Sequence, residues 1–441
     1  MSAIRVSLDE WQTARPVPGS ELVGQGFNGN TASRKLADQL TALNQLTVFE
    51  LARGIELRAT SFVGRVRLGD IEITVHPKIT GAPLLNLFRY AYGLRDLRLY
   101  DEAGYNTAQG SFQDLLIQQL GEEIQEIITR GLYRDYLPRS ENLASPRGRI
   151  DFNRFARQSH LASNSLPCIH YPRSEDNLLN QVLLAGVMLG ARLTTDRDLR
   201  TRMQRLSKLL RLSVSSIELD ALNLSEARTA LDRRTIAYES SLKLIELLMG
   251  SAGVSLDAKA SSLSLHGFLF DMNRFFQALI SRLLRDNLAD YEVQDERRLK
   301  GMFMYDPFQN PLKRNATNPR PDFVITKKSQ LVAVLDAKYR DLWVKDLPRS
   351  MLYQLAIYAL GHDQAERRAA IIYPTTNKQA VAQSVIIQEA VKGILQARVD
   401  LRPVNLFDLN KLLQSGNSLE VQRSRTAYAS QLAFGCFPVG N

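Results

Sequence analysis

The chain reads as a multidomain α+β protein, with a small β-rich segment at the N-terminus, a helical middle and a C-terminal α/β domain. Three observations predict this. At 441 residues the chain exceeds what one hydrophobic core usually organises, and its length favours roughly two to four domains. The spacing of apolar residues shifts along the chain from the alternation of strands to the three-and-four spacing of helices, and then to a mixture. The hydrophobic share of 44% and charged share of 23% are those of an ordinary globular protein and argue against wholesale disorder.

The first segment, residues 1–85, opens with a turn-rich stretch and a helical pattern over Ala32–Leu46. Short runs rich in β-branched residues follow at Val48–Leu51, Ile55–Phe62, Arg65–Leu68 and Ile71–Val75, punctuated by Gly54, Gly64 and Gly69-Asp70. They predict a small antiparallel sheet or barrel. Gly24-Gln-Gly26-Phe-Asn-Gly29 satisfies a dinucleotide-binding string, but Pro16-Val-Pro-Gly19 stands where that fold needs a buried strand, so the glycines read as a turn.

The middle segment, residues 86–255, repeats apolar residues three and four apart. Helices are expected at Leu84–Tyr92, Phe112–Leu132, Asn177–Leu193, Asp198–Leu210 and Tyr238–Met249. Leu178–Leu193 is interrupted by Asn180, Gln181 and Arg192 and reads as a buried helix, too short and too polar for a membrane span. Arg139–Asp151 reads as an irregular basic loop whose Arg147 and Arg149 suit either phosphate or a carboxylate partner.

The last segment, residues 256–441, begins with an apolar helical pattern over Leu265–Leu288. Strands are expected at Tyr291–Gln294, Asp322–Thr326, Leu331–Asp336, Arg368–Tyr373, Ser384–Gln388 and Val404–Phe407, with a helix at Pro348–Gly361. A mixed sheet flanked by helices fits this order.

Net charge of +10 and a pI near 9.5 favour an anionic partner such as nucleic acid, although a basic surface kept for solubility gives the same numbers. Cys168 and Cys436 are the only cysteines, which excludes a disulfide framework of several bridges and suits a reducing cytoplasm. His76, His160, His170, His266 and His362 are scattered and, with Cys168, fall short of a zinc ligand set. The opening residues show no secretory pattern, so a cytoplasmic location without membrane association is expected. No phosphate-binding loop of the G-x-x-x-x-G-K-[ST] form occurs, and nucleotide hydrolysis is expected to belong to a partner.

The chemistry gathers on two consecutive strands. Asp322 opens the run Phe323-Val-Ile-Thr326, and Leu331-Val-Ala-Val-Leu-Asp336-Ala-Lys338 ends in an acid and an amine. Strand side chains alternate, so Asp336 and Lys338 share a face, and the short link Lys327–Gln330 suits a hairpin that returns the second strand to Asp322. Hydrolysis of a phosphodiester needs a hard cation on oxygen ligands, an activated water and positive charge for the transition state. Asp322 and Asp336, with the Ala337 carbonyl, would hold Mg²⁺ or Mn²⁺, and Lys338 would position the attacking water. A plain ion pair at a sheet end would use the same residues.

On the following helix Gln354 and Tyr358 are four apart and share a face. They resemble the Gln-x-x-x-Tyr element that follows the acid-x-Lys strand in RecB-like nucleases of the PD-(D/E)xK superfamily, where the pair helps organise the active site. Phe62-Val-Gly-Arg-Val-Arg-Leu-Gly-Asp-Ile-Glu-Ile-Thr-Val-His-Pro-Lys78, Leu143-Ala-Ser-Pro-Arg-Gly-Arg-Ile-Asp-Phe152, Ser174-Glu-Asp-Asn-Leu-Leu-Asn-Gln181 and Phe268-Leu-Phe-Asp-Met-Asn-Arg-Phe-Phe276 resemble, in order, landmarks of the McrC family.

This resemblance, which spans most of the chain, implies a C-terminal PD-(D/E)xK restriction-endonuclease-like domain within a methylcytosine-directed, anti-phage restriction system. It implies double-stranded, modified DNA and a hexameric McrB-like AAA+ GTPase as partners, the latter met by the N-terminal part around Arg53–Lys78. One departure is Gln277, where relatives commonly carry an acid; Glu292 and Asp295 are the nearest acids that would stand in. The readings that follow are a metal-dependent endonuclease subunit that binds and stimulates the motor, an adaptor whose cutting is weakened, and a stand-alone repair nuclease.

Overall fold

A computed structural model describes residues 4–27, 30–94, 112–136, 138–157, 165–251, 267–361 and 367–435. His160, His266, His362, Cys436 and Gly29 of the glycine string lie outside the described residues. The chain forms two compact units, Met1–Asp96 with Leu269–Asn441, and Gly110–Phe268. The β-rich first segment and the C-terminal segment therefore share one unit.

The reason lies in a strand that periodicity conceals. Leu265–Leu288 is expected to be one helix, but Gly267–Asp271 is a strand and only Met272–Asn287 is helical. Phe268, Leu269 and Phe270 are all buried, so the run carries no helical stripe, and the Asp271 carboxylate caps the helix by accepting from the Asn273 and Arg274 amides. The strand closes a four-stranded sheet in the order Ile4–Asp9, Ile71–His76, Phe62–Leu68, Gly267–Asp271.

That sheet is not purely antiparallel as expected, because Ile4–Asp9, which falls in the turn-rich opening of the sequence, pairs parallel to Ile71–His76. A second, antiparallel sheet joins Thr13–Ala14, Gly54–Ala59 and Leu46–Leu51. The preceding helix ends at Ala42 rather than Leu46, and Asn44 at φ 53° turns the chain into the strand.

In the second unit, helices at Phe112–Arg130, Leu178–Leu193, Arg197–Leu210 and Glu239–Ser251 match the expected pattern, and Ala221–Thr229 adds another. Asn180, which interrupts the most apolar stretch, is fully buried; its amide donates to the Tyr133 and Glu175 carbonyls and its oxygen accepts from the Tyr238 hydroxyl. The expected irregular loop at Arg139–Asp151 instead supplies strands Arg139–Leu143 and Arg149–Ile150, which flank Leu166–His170. Between them Gly148 takes φ 70°, and a Cβ there would meet the Ile169 carbonyl oxygen at 2.4 Å. Arg147 and Arg149 are left exposed. Among the described residues no helix is long and apolar enough to cross a membrane.

The C-terminal part of the first unit is a six-stranded mixed sheet in the order Glu292–Asp295, Phe323–Lys327, Gln330–Ala337, Arg368–Thr375, Leu395–Asn405, Gln383–Gln388. Gln330–Ala337, Arg368–Thr375 and Leu395–Asn405 run parallel. The expected strand Val404–Phe407 is only the tail of Leu395–Asn405, since Asn405 caps a helix over Leu406–Gln414. Helix Arg349–Leu360 covers one face through a core of Val334, Leu355, Tyr358, Ile371 and Val399. Phe323 and Leu335, register partners on the opposite face, turn towards the layer where helices Met272–Asn287 and Leu419–Phe434 pack on the Gln330–Ala337 strand.

Candidate functional site

The predicted residues meet at the ends of two paired strands. Phe323–Lys327 and Gln330–Ala337 form an antiparallel hairpin, whose Lys328 and Ser329 take φ 49° and 66° as a tight two-residue turn requires. The register pairs Phe323 with Leu335, which puts Asp322 opposite Asp336. The Ala337 amide donates to Asp322 Oδ2 at 2.7 Å and locks that carboxylate against the neighbouring strand.

Lys338 stands between the two acids, its Nζ 3.1 Å from Asp336 Oδ2 and 3.6 Å from Asp322 Oδ2. The Asp336 side chain is 3% exposed and that of Lys338 is 27% exposed, so the acid is fixed inside while the amine still reaches solvent. Burial, and next the nearby Asp322 carboxylate, push Asp336 up to about 7 against the pull of Lys338. Burial also opposes the charge on Lys338, but Asp336 and Asp322 outweigh it and raise the amine above its ordinary value.

Gln354 and Tyr358 are joined as their spacing predicts, the Gln354 amide donating to the Tyr358 hydroxyl at 2.7 Å. Burial first, then Asp336 and Asp322, raise the Tyr358 pKa, so the pair lies within electrostatic reach of the carboxylates. Gln277 also arrives at the site, donating from Nε2 to Asp322 Oδ1 at 2.8 Å. The stand-in acids do not. Asp295 accepts from Ser281 and Arg285, and Glu292 lies at the far end of the strand opposite Thr326.

The donor set suits a hard divalent cation held by few protein ligands. Asp336 Oδ1 is buried and has no hydrogen-bond partner, an orphaned carboxyl oxygen of the kind a cation satisfies. Among the described residues no group of three or more acids, histidines or cysteines is placed for a metal, so the site offers two carboxylates, with the Gln277 amide nitrogen bonded to one of them as a neutral neighbour. Mg²⁺ commonly accepts such a set and completes its octahedron with water.

The sequence profile of the McrBC 5-methylcytosine restriction system component family matches residues 57–374. The chain belongs to this family. No curated protein matches it. Among solved structures, a refined half-complex from a tetradecameric assembly of Thermococcus gammatolerans McrB AAA+ hexamers with bound McrC includes a chain similar in fold at 18% identity and TM-score 0.61, covering 96% of this chain and 98% of that one. A cryo-EM structure of the Thermococcus gammatolerans McrBC complex matches at 21% identity and TM-score 0.45, covering 65% of this chain and 89% of that one.

In this McrBC-family chain a buried network anchors the residue after Lys338. The Tyr339 hydroxyl donates to Glu10 Oε1 at 3.0 Å, its amide to Asn273 Oδ1 at 3.0 Å, and its carbonyl accepts from the Trp11 indole at 3.1 Å. The Lys78 amide donates to the same Glu10 oxygen, and its Nζ lies 4.6 Å from the centre of the Tyr339 ring. Burial pushes Glu10 up to about 7 and Lys78 down from its ordinary value. Asn273 in turn donates to the Ser61 hydroxyl, so one polar chain ties the helix start, the first β-segment and the Lys338 strand. Nothing in local spacing marks Glu10 or Trp11. Asn273 lies in the Phe268–Phe276 landmark and Lys78 ends the Phe62–Lys78 landmark, and these are the sequence signals that point to the network.

Proposed function

We propose that this chain is the DNA-cutting subunit of its restriction system, a metal-dependent endonuclease of the PD-(D/E)xK type that works with a McrB-like AAA+ GTPase and stimulates it. The observation that carries the reading is the convergence of Asp322, Asp336 and Lys338, with an unpartnered buried oxygen on Asp336. The fold it shares with a chain of the Thermococcus McrB–McrC assembly supports the partner.

In this reading Asp322, Asp336 and the Ala337 carbonyl hold Mg²⁺ or Mn²⁺, which when bound supplies Lewis-acid stabilisation and an acidified water. Lys338, kept protonated by its two acids, serves as a charged donor to the attacking water or a phosphoryl oxygen rather than as a proton acceptor. Tyr358 and Gln354, bonded to each other, would line the site within electrostatic reach of the carboxylates. Gln277 orients Asp322 without adding charge, and this favours a second reading, an adaptor that stimulates the motor with weakened cutting.

The test is a titration of Mg²⁺ into the purified chain with its AAA+ partner on cytosine-methylated duplex DNA. New DNA ends that depend on the ion are the expected result; stimulated GTP hydrolysis with no ends at any concentration would establish the adaptor instead.

The same preparation yields a pH dependence. An acid whose folded pKa lies near 7, against an ordinary 3.8, holds its proton more tightly in the fold, so ionising Asp336 costs stability as pH rises through that interval. A cation must displace this proton. Its apparent affinity should therefore drop about tenfold for each pH unit below about 7 and level off above it, with about one proton released per ion bound at pH 6. Calorimetry of Mn²⁺ binding in buffers of different ionisation enthalpy reads both quantities, and a flat profile between about pH 5.5 and about 8 would contradict the assignment.

A further inference from the structure

The segment Glu296–Pro321 leads directly into Asp322, and the side-chain bonds among Asp322, Asp336 and Lys338 do not involve it. Its ends are pinned together: the Glu296 amide donates to the Asp322 carbonyl at 2.9 Å, the Leu299 amide to the Pro319 carbonyl at 2.9 Å, and Arg320 pairs with Glu296. Its tip is clamped by reciprocal bonds between the Asn310 side chain and the Arg314 backbone. The loop is thus a closed projection rather than a slack connection.

Its surface has two unusual properties together. Phe303, Met304, Tyr305, Phe308 and Leu312 are all exposed, Phe308 at 98%, an apolar group that the chain itself leaves uncovered. Around them stand Arg298, Lys300, Lys313 and Arg314, none of which has a carboxylate partner among the described residues. The only acids of the loop are committed, Glu296 to Arg320 and Asp306 to the Phe308 amide. At the loop's foot a cavity of about 760 Å³ is lined by Arg297, Arg298 and Lys300 together with Val324, Thr326 and Tyr358, so Tyr358 is the candidate-site residue that borders the same space as these cations.

Unpaired cations would suit many anions, and exposed aromatics many apolar partners. Interleaved on a fixed loop, beside a site for phosphodiester chemistry, they suit nucleic acid, which offers phosphates and stacking faces at one spacing. The geometry points to Glu296–Pro321 as a DNA-engaging arm: Arg298, Lys300, Lys313 and Arg314 hold phosphates of the strand presented to Asp322 and Lys338, and Phe308 stacks on an unpaired or partly unstacked base. This rests on the nuclease reading for its choice of nucleic acid, but its test does not require cutting.

Binding of the full chain to a fluorescein-labelled duplex and to a single strand carrying 2-aminopurine is measured in EDTA across a salt series. Removing the four cations together (Arg298→Ala, Lys300→Ala, Lys313→Ala, Arg314→Ala) should weaken both complexes and lower the slope of log affinity against log salt by about one for each phosphate no longer neutralised. Phe308→Ala should leave that slope in place, weaken the single-strand complex about five- to hundredfold and abolish the 2-aminopurine response. Because these side chains are exposed, melting temperatures should match the parent protein, and a variant that melts early is replaced by its counterpart with glutamine at the four cations or leucine at Phe308.

Unchanged affinity and slope in every variant, or no DNA binding by the parent chain even at low salt, overturns the arm. So does unchanged DNA binding with lost stimulation of the AAA+ partner, which would assign the surface to a protein. Arm-dependent binding without metal-dependent ends would leave the arm standing and remove the nuclease reading; the converse result would do the reverse.

Discussion

Replacing Lys338 with alanine is expected to lower metal-dependent cleavage by about two to four orders of magnitude while partner binding persists. Among the described residues Lys338 is the only cation within 4 Å of either site carboxylate, at 3.1 Å from Asp336 and 3.6 Å from Asp322. In the proposed function its loss would remove the positive donor from the reacting phosphate; it also leaves two acids facing each other, which should raise Asp336 further and shift cation binding to higher pH. Lys338→Arg separates the effects: it restores charge near the acids, but its planar fork cannot replace a compact ammonium at the same point. Single-turnover cleavage at saturating Mg²⁺ measures the outcome, with far-ultraviolet circular dichroism as the folding control. Cutting by Lys338→Ala at the parent rate would dismiss this lysine from the chemistry.

The second large effect falls on stability. Phe276 is fully buried on the Met272–Asn287 helix, and its ring meets Tyr339 edge-on with centroids 6.0 Å apart. Phe276→Ala should cost about 3–5 kcal/mol, because the packed layer around it cannot close over the missing ring. The expected sign is a lower denaturant midpoint for the unit that holds the site. Activity should fall as well under conditions where the variant remains folded, since Tyr339 adjoins Lys338 and sets where its strand ends. A midpoint within error of the parent would mean that the helix is not held by this packing. The control Tyr339→Phe keeps the ring packing and removes only the hydroxyl bond to Glu10, so it should destabilise far less.

The two kinds of effect follow from different parts of the chain. In the proposed function the chemistry would depend on groups near one strand end, whereas the residue after Lys338 is held by residues contributed by the first β-segment, Glu10, Trp11 and Lys78. A change in the first segment can therefore reach the site through packed polar groups. Such residues act by positioning and should alter cleavage together with stability, unlike Lys338.

The sequence by itself determined the local half of this protein. Alternation along Leu331–Lys338 puts Asp336 and Lys338 on one face, the four-residue spacing puts Gln354 beside Tyr358, and a short polar link makes the hairpin, because each of these depends only on backbone period and turn geometry. Caps such as Asp271 and Asn405 are equally local, yet they stand beside apolar runs that fit a helix or a strand alike. Periodicity therefore extends the helix back over Gly267–Asp271 and places the strand ending at Asn405 too late. Tertiary structure decided the rest. It set Gln277 against Asp322 rather than Glu292 or Asp295, brought Ile4–Asp9 into a parallel pair, and packed Glu10 on Tyr339 across 329 residues of chain. Those choices turn on which register and which burial satisfy every polar group at once, a condition no window of sequence contains.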